Sequence, residues 1–238
     1  MGWRSQLCNP GGTDMSDSGK NGPDHPLERM IFFSDAVFAI AITLLIIEVH
    51  PPHLHDGASN TEYMQALLNL MPNLIGFFIS FFVIGAFWAG HHRSFALAGH
   101  YSDRLNGPNL MMLCSIVFMP FSTAFMSANF GALVPSLLYN SMLVVTGLLN
   151  IRLIRVVTSP PVVDERVSME TIAYVRARGP AVVLGGICAL LVALWDARFS
   201  QVALMSIPVW MFLLRRYTAK RLAAARTAVD QPAQEPVV

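Results

Sequence analysis

The chain has 238 residues, 54% of them hydrophobic and only 13% charged, with a mean hydropathy of +0.50. Soluble globular chains carry roughly 25% charge, so this composition argues against a water-soluble domain and for a bundle in lipid. A net charge of +1 gives no case for nucleic acid as a partner, and Cys8, Cys114 and Cys188 share no metal or redox spacing.

Residues 1–27 are rich in Gly, Asp, Ser, Asn and Pro and hold no apolar run, so they are expected to be a disordered tail, with Met15 an alternative start. No cleavable signal peptide is expected, because the first apolar segment begins late and lacks a small-residue cleavage site. About 20 mostly apolar residues are needed to cross ~30 Å of hydrocarbon. Six segments meet or approach that length. The first runs from Arg29 to Val49 and is stopped by Pro51-Pro52. The second spans about Leu70 to Ala89, the third Asn109 to Ala128 and the fourth Leu133 to Ile154. The fifth, Pro180 to Trp195, and the sixth, Phe199 to Leu214, are shorter and joined by Asp196-Ala197-Arg198, where a local ion pair is expected. They are read as a spanning hairpin. Lys220 to Ala228, rich in Ala and Arg, is read as a short helical continuation. The fold expected is therefore all-α and polytopic: a tail at 1–27, a six-helix membrane domain at 28–217 and a C-terminal tail at 218–238.

Charge placement orients this plan. Arg4, Lys20 and Arg29 precede the first segment; Arg93 and Arg104 lie between the second and third. Arg152, Arg155, Arg166, Arg176 and Arg178 lie between the fourth and fifth. Arg215, Arg216, Lys220, Arg221 and Arg226 follow the sixth. Of the 16 basic residues, only Arg198 falls on the opposite side. Basic loops stay cytoplasmic, which places both termini in the cytoplasm of a multi-pass protein of the cell membrane.

The first segment carries the unusual chemistry. Asp35 lies about a turn and a half into an otherwise apolar run, where an ionised carboxylate costs at least ~2.5–3.5 kcal/mol unless it is paired or faces water. It is expected to point into the bundle with Ser34 beside it. Position alone leaves two compatible roles open: an interhelical fastener, or a group that ions or protons pass. At 100° per residue, Arg29, Ala36, Ile40, Thr43 and Ile47 share one narrow stripe flanked by Leu44. Asp35, Ala39 and Ile42 fall on a second stripe centred about 100° away. An Ile/Leu stripe is ordinarily a lipid-facing or packed surface.

The run Arg29-x-x-x-Phe33-Ser34-Asp35-Ala36, followed by Ile40-x-x-Thr43-Leu44, resembles the signature of the transmembrane protein 175 family. Trp88-x-x-His91-His92 and Pro120-Phe121-Ser122-Thr123 extend the resemblance, which covers about residues 28–217. The motif occurs once, as in the single-repeat, six-helix bacterial members. What the resemblance implies is a potassium-preferring cation channel of leak type. It lacks a Gly-Tyr-Gly filter and is built as a homotetramer with first helices around a central pore. On that pattern Ile40 forms the main hydrophobic constriction, Leu44 and Ile47 narrow the outer pore, and Thr43 supplies a ring of hydroxyls. Arg29, Phe33, Ser34, Asp35, Trp88 and His91 form the motif network that holds the first helix to its neighbours. The partners implied are further copies of the chain and membrane lipid, with potassium the permeant ion and no cofactor.

Other features are weaker. His50, His53 and His55 flank Pro51-Pro52 without a fixed spacing or fourth ligand, so a solvated loop is expected there and no metal. No nucleophile beside a base and no phosphate-binding glycine loop occurs, so no catalytic residues are assigned and an enzyme is not expected. The alternative to a channel is a proton-coupled secondary transporter using Asp35. Such carriers show broken helices and inverted repeats, and neither is visible. Pro120 and Pro208, within spans, are candidate kinks.

Overall fold

A computed structural model describes residues 25–230, with side chains for 26–224. The expected disorder of residues 1–27 therefore falls almost wholly outside the described residues. Nine α-helices run through the described residues: α1 His25–Ile47, α2 Asn60–Asn69, α3 Met71–Phe95, α4 Asn106–Ala128, α5 Leu133–Val157, α6 Met169–Arg176, α7 Gly179–Trp195, α8 Ser200–Ala203 and α9 Ser206–Asp230. No strand occurs among the described residues beyond one isolated bridge, Ala98 with Val163. Six stretches are long and apolar enough to cross a membrane: 26–47, 71–95, 103–128, 133–157, 169–195 and 197–224. The chain is an all-α, six-span membrane protein.

Several boundaries differ from the sequence reading for identifiable reasons. The first helix ends at Ile47, where Val49 N–H bonds Ile46 C=O, so it stops before the Pro51-Pro52 pair reaches it. The second span carries on past Ala89 through His91, His92 and Arg93 to Phe95, where the Arg93 cation in the last turn suits the helix dipole. The sixth span has a broken entry. Asp196 does not pair with the Arg198 guanidinium; its carboxylate accepts the Arg198 backbone N–H at 2.9 Å and caps a short 3-10 turn. Pro208 falls in the first turn of α9, where its missing N–H costs no helix bond. From there α9 runs unbroken to Asp230, across the expected domain boundary at 217/218.

Helix α2 is an element the sequence reading left as loop. Ser59 caps it: the hydroxyl accepts the Glu62 N–H at 3.3 Å while the Glu62 carboxylate accepts the Ser59 N–H at 2.7 Å. This reciprocal box satisfies donors that an open helix end leaves bare.

Helices α4 and α5 occupy the middle of the bundle. Helix α4 packs against α1, α3 and α5, and α5 packs chiefly against α4 and α7. Met112, Ile116, Met119, Leu143, Phe38 and Ile84 form the dry centre. A hydroxyl chain crosses it, Thr123 to Ser80 at 2.7 Å and Ser80 to Tyr139 at 3.1 Å, tying α3, α4 and α5. At the basic end, Arg176 ties off α5: its guanidinium donates to Thr158 Oγ1 at 2.7 Å, Thr158 C=O at 2.9 Å and Ser159 Oγ at 3.1 Å.

The contact of α7 with both neighbours rests on adjacent glycines. A Cβ at Gly186 would lie 2.8 Å from Val144 on α5, and one at Gly185 would run into Ile207 on α9. Missing side chains let three helices approach where lipid supplies no hydrophobic drive between them.

Replacing Gly186 by Val should lower the unfolding midpoint in detergent by several degrees, on an overpacking cost of about 1–3 kcal/mol. Gly85→Ala, where a Cβ meets nothing within 4 Å, should leave it unchanged. The Ser59 backbone and side chain hold the Glu62 carboxyl below its ordinary value of 4.5. A depressed carboxyl stabilises the folded state above its unfolded value and loses that contribution as pH falls through its folded one. Amide-exchange protection of α2, corrected for intrinsic rates, should therefore be full above 4.5 and decline below it; Ser59→Ala, which keeps the backbone N–H, should reduce that pH dependence, and Glu62→Gln should remove it.

Candidate functional site

One face of α1 is fixed by apolar burial and the opposite face has no partner within the subunit. Leu27, Met30, Ser34, Phe38, Ala41 and Leu45 are buried. Ala41 and Leu45 are 0% and 2% exposed, whereas Ile40 and Ile47 are 57% and 65% exposed. Ala36, Thr43 and Leu44 are exposed with them. The stripe read from helical spacing thus lies outward, opposite the packed face. Thr43 Oγ1 donates to the Ile40 carbonyl at 2.9 Å. With its one proton committed to the backbone, the outward side of that hydroxyl is purely an acceptor.

Two polar links fasten the other side. Trp88 Nε1–H of α3 donates to Asp35 Oδ1 at 2.9 Å. Ser34, fully buried, donates to the Met30 carbonyl at 2.8 Å and accepts Asn109 Nδ2 of α4 at 3.0 Å. The other end of that amide, Asn109 Oδ1, lies 2.9 Å from His91 Nε2. An amide oxygen only accepts, so this network assigns the proton to Nε2. The His91 ring stacks on Phe95 at 4.3 Å and meets the Phe38 edge at 5.5 Å between centroids.

The expected residues are therefore brought together in two groups rather than one. Asp35 and Trp88 meet directly. Ser34 and His91 do not touch; Asn109 joins them. Asn109 was read only as the start of the third segment, and an amide opening an apolar run looks like a boundary when its partners are unknown. Arg29 and Phe33 stand apart from both links. Phe33 is exposed and falls in line with Ala36 and Ile40, while Arg29, also exposed, borders a shallow hollow with Pro26, Met30, Tyr101 and Asn106. The His92 ring lies tilted against Trp88, 5.9 Å between centroids. Among the described residues no group of three or more His, Cys, Asp or Glu is placed to hold a metal ion.

Residues 29–120 match the model of a protein family described as endosomal/lysosomal potassium channel TMEM175. A potassium channel of Chamaesiphon minutus is 37% identical over 99 residues, 42% of this chain and 48% of that protein. One from Streptomyces collinus is 36% identical over 99 residues, covering 42% and 47%. An endosomal/lysosomal proton channel TMEM175 of Danio rerio is 23% identical over 188 residues, 78% of this chain and 36% of that one. These matches span about half the length of the two bacterial relatives. The crystal structure of a lysosomal potassium-selective channel TMEM175 homolog from Chamaesiphon minutus superposes with a TM-score of 0.64 at 25% identity, over 83% of this chain and 98% of that chain. The matched stretch contains most of α1, all of α3 and both polar links, and over 83% of this chain the fold agrees with that crystal structure: the chain is similar to the TMEM175 family.

Proposed function

We propose that the chain is a potassium-preferring leak channel of the cell membrane, a homotetramer in which four α1 helices meet around a water column. The observation that carries this reading is the rotational setting of α1. Polar links and apolar burial take one face, and the Ile40, Thr43, Leu44 and Ile47 stripe is left outward with an acceptor at its middle. The names of the bacterial relatives, potassium channels, support the same ion.

In such a pore Ile40 is the tightest ring, with Leu44 and Ile47 above it. An apolar ring of small radius expels water, and an ion entering it loses hydration, so conduction is gated by wetting. Four Thr43 hydroxyls offer acceptors one turn away and return part of that hydration. They do so less fully than a cage of carbonyls, so potassium preference is modest. Glu48, just past the end of α1, together with Asp56 in the loop and Glu62 on α2, in a segment free of Lys and Arg, concentrates cations at the entrance. The basic ends of the helices lie in the cytoplasm, with both termini. Asp35, whose carboxylate is occupied by Trp88, serves as a fastener, an arrangement that favours a channel over a carrier that cycles a proton on that group.

Two measurements on purified, reconstituted protein test this. Ile40→Asn should wet the constriction and raise potassium flux several-fold; unchanged flux would remove Ile40 from the pore. Asn109→Leu should strand Ser34 and His91 at a cost of about 1–3 kcal/mol and weaken assembly, and Asp35→Ala should do so to a smaller degree, both read as oligomer mass by light scattering. An Asp35→Ala oligomer of unchanged mass that no longer conducts would instead put Asp35 in the ion path.

A further inference from the structure

A cavity of about 420 Å³ opens between α3, α5, α7 and α9, on the side of the bundle away from α1. Its volume lies within the ~300–1,000 Å³ of ordinary ligand sites. Along α3 its wall extends from Ile79 to Ser94, roughly 22 Å at 1.5 Å per residue. One leaflet, half of a ~30 Å hydrocarbon core, is shorter than that. The body of the wall is apolar, with Phe82, Val83 and Phe87 facing Val182, Ile207 and Met211.

One end of this slot is chemically different. Arg93 and Arg178 both line it, and no carboxylate does. Arg178 Nε is buried without a hydrogen-bond partner, and Tyr174, which Arg178 overlies at 5.9 Å, also carries Arg215 at 4.9 Å on its ring. One cation-bearing ring offers neither guanidinium an anion. Beside them Asn150 is only 6% exposed, lines the same cavity, and has its Oδ1 unpartnered. Two cations, a buried acceptor and a long apolar slot define an occupant with an acidic head, a hydroxyl and a hydrocarbon tail.

We infer that this cavity binds an anionic phospholipid of the leaflet at the basic end, phosphate on Arg93 and Arg178, head or glycerol hydroxyl towards Asn150, and one acyl chain along α3. Bidentate guanidinium–phosphate pairing supplies the strong contacts, and the tail fills space no side chain occupies. Gly90 is part of the wall, and a Cβ there meets nothing within 4 Å. The inference stands whether or not the chain conducts.

The test is to purify the full chain from vesicles of phosphatidylglycerol or of phosphatidylcholine and count retained phospholipid per subunit by native mass spectrometry. Wild-type protein should keep phosphatidylglycerol in preference to phosphatidylcholine, and excess inorganic phosphate should not displace it. Arg93→Gln with Arg178→Gln should cut retention by about tenfold or more, while the Lys pair, which keeps the charge and loses the bidentate contact, should fall between the two. Gly90→Leu should lower retention by filling the tail slot with the arginines intact, and it decides alone if the double Gln variant fails to fold. Equal retention of the two lipids, displacement by inorganic phosphate, or full retention in Gly90→Leu would each overturn the inference.

Discussion

The rotation of the first helix is set by a constraint that lipid makes severe: a buried polar group without a partner is costly, and inside a membrane protein no bulk water corrects the error. Ser34, Asn109 and His91 answer one another across α1, α4 and α3, and each amide or hydroxyl atom in the link meets a complementary one. Turning α1 by one residue, 100°, would bring Asp35 to the place of Ser34. A carboxylate would then face Asn109 and the dry centre around Met112 on α4, and Trp88 would lose its acceptor. The Ile40 stripe faces outward because the opposite face has no other acceptable setting.

The second half of the bundle is held by a different device. Between α5, α7 and α9 the described residues offer close approach rather than a polar chain: Gly186 against Val144, Gly185 against Ile207, and Gly147 against Val183. Polar links fix rotation, whereas small-residue contacts fix distance, and the two halves of the bundle divide that work. A helix packed by shape alone can leave a slot where large side chains give out, and the long cavity beside α9 lies in that half.

Much of this was legible in the sequence because a bilayer imposes few solutions. Hydropathy located six spans, and 100° spacing separated the Ile40 stripe from Asp35 before any contact was known. What was not legible has physical causes. The Ser59-x-x-Glu62 box announces α2, but its mixed polarity hides it beside strongly apolar neighbours. The broken entry of the last span was not legible because Phe199, Val202 and Met205 are as apolar as the helix proper, and hydropathy is blind to the turns that separate the 3-10 turn, α8 and α9. Asn109 escaped because a buried amide bridging two helices and an amide at a membrane boundary read identically until the third dimension supplies Ser34 and His91.

Exposure by itself does not distinguish a pore face from a lipid face, since Phe82 on α3 is as open as Ile47 on α1. Chemistry does. The outward side of α3 is aromatic, with Phe78, Phe81 and Phe82 exposed and Phe81 in ring contact with Phe82, a bulky surface suited to acyl chains. Between Ala36 and Ile47 the stripe on α1 holds no aromatic ring, only aliphatic side chains and one hydroxyl whose proton is already committed. Helices that converge on an axis need side chains narrow enough to meet there. Cations passing them need acceptors rather than donors, and in the pore proposed above the two requirements fall together on this one face of the chain.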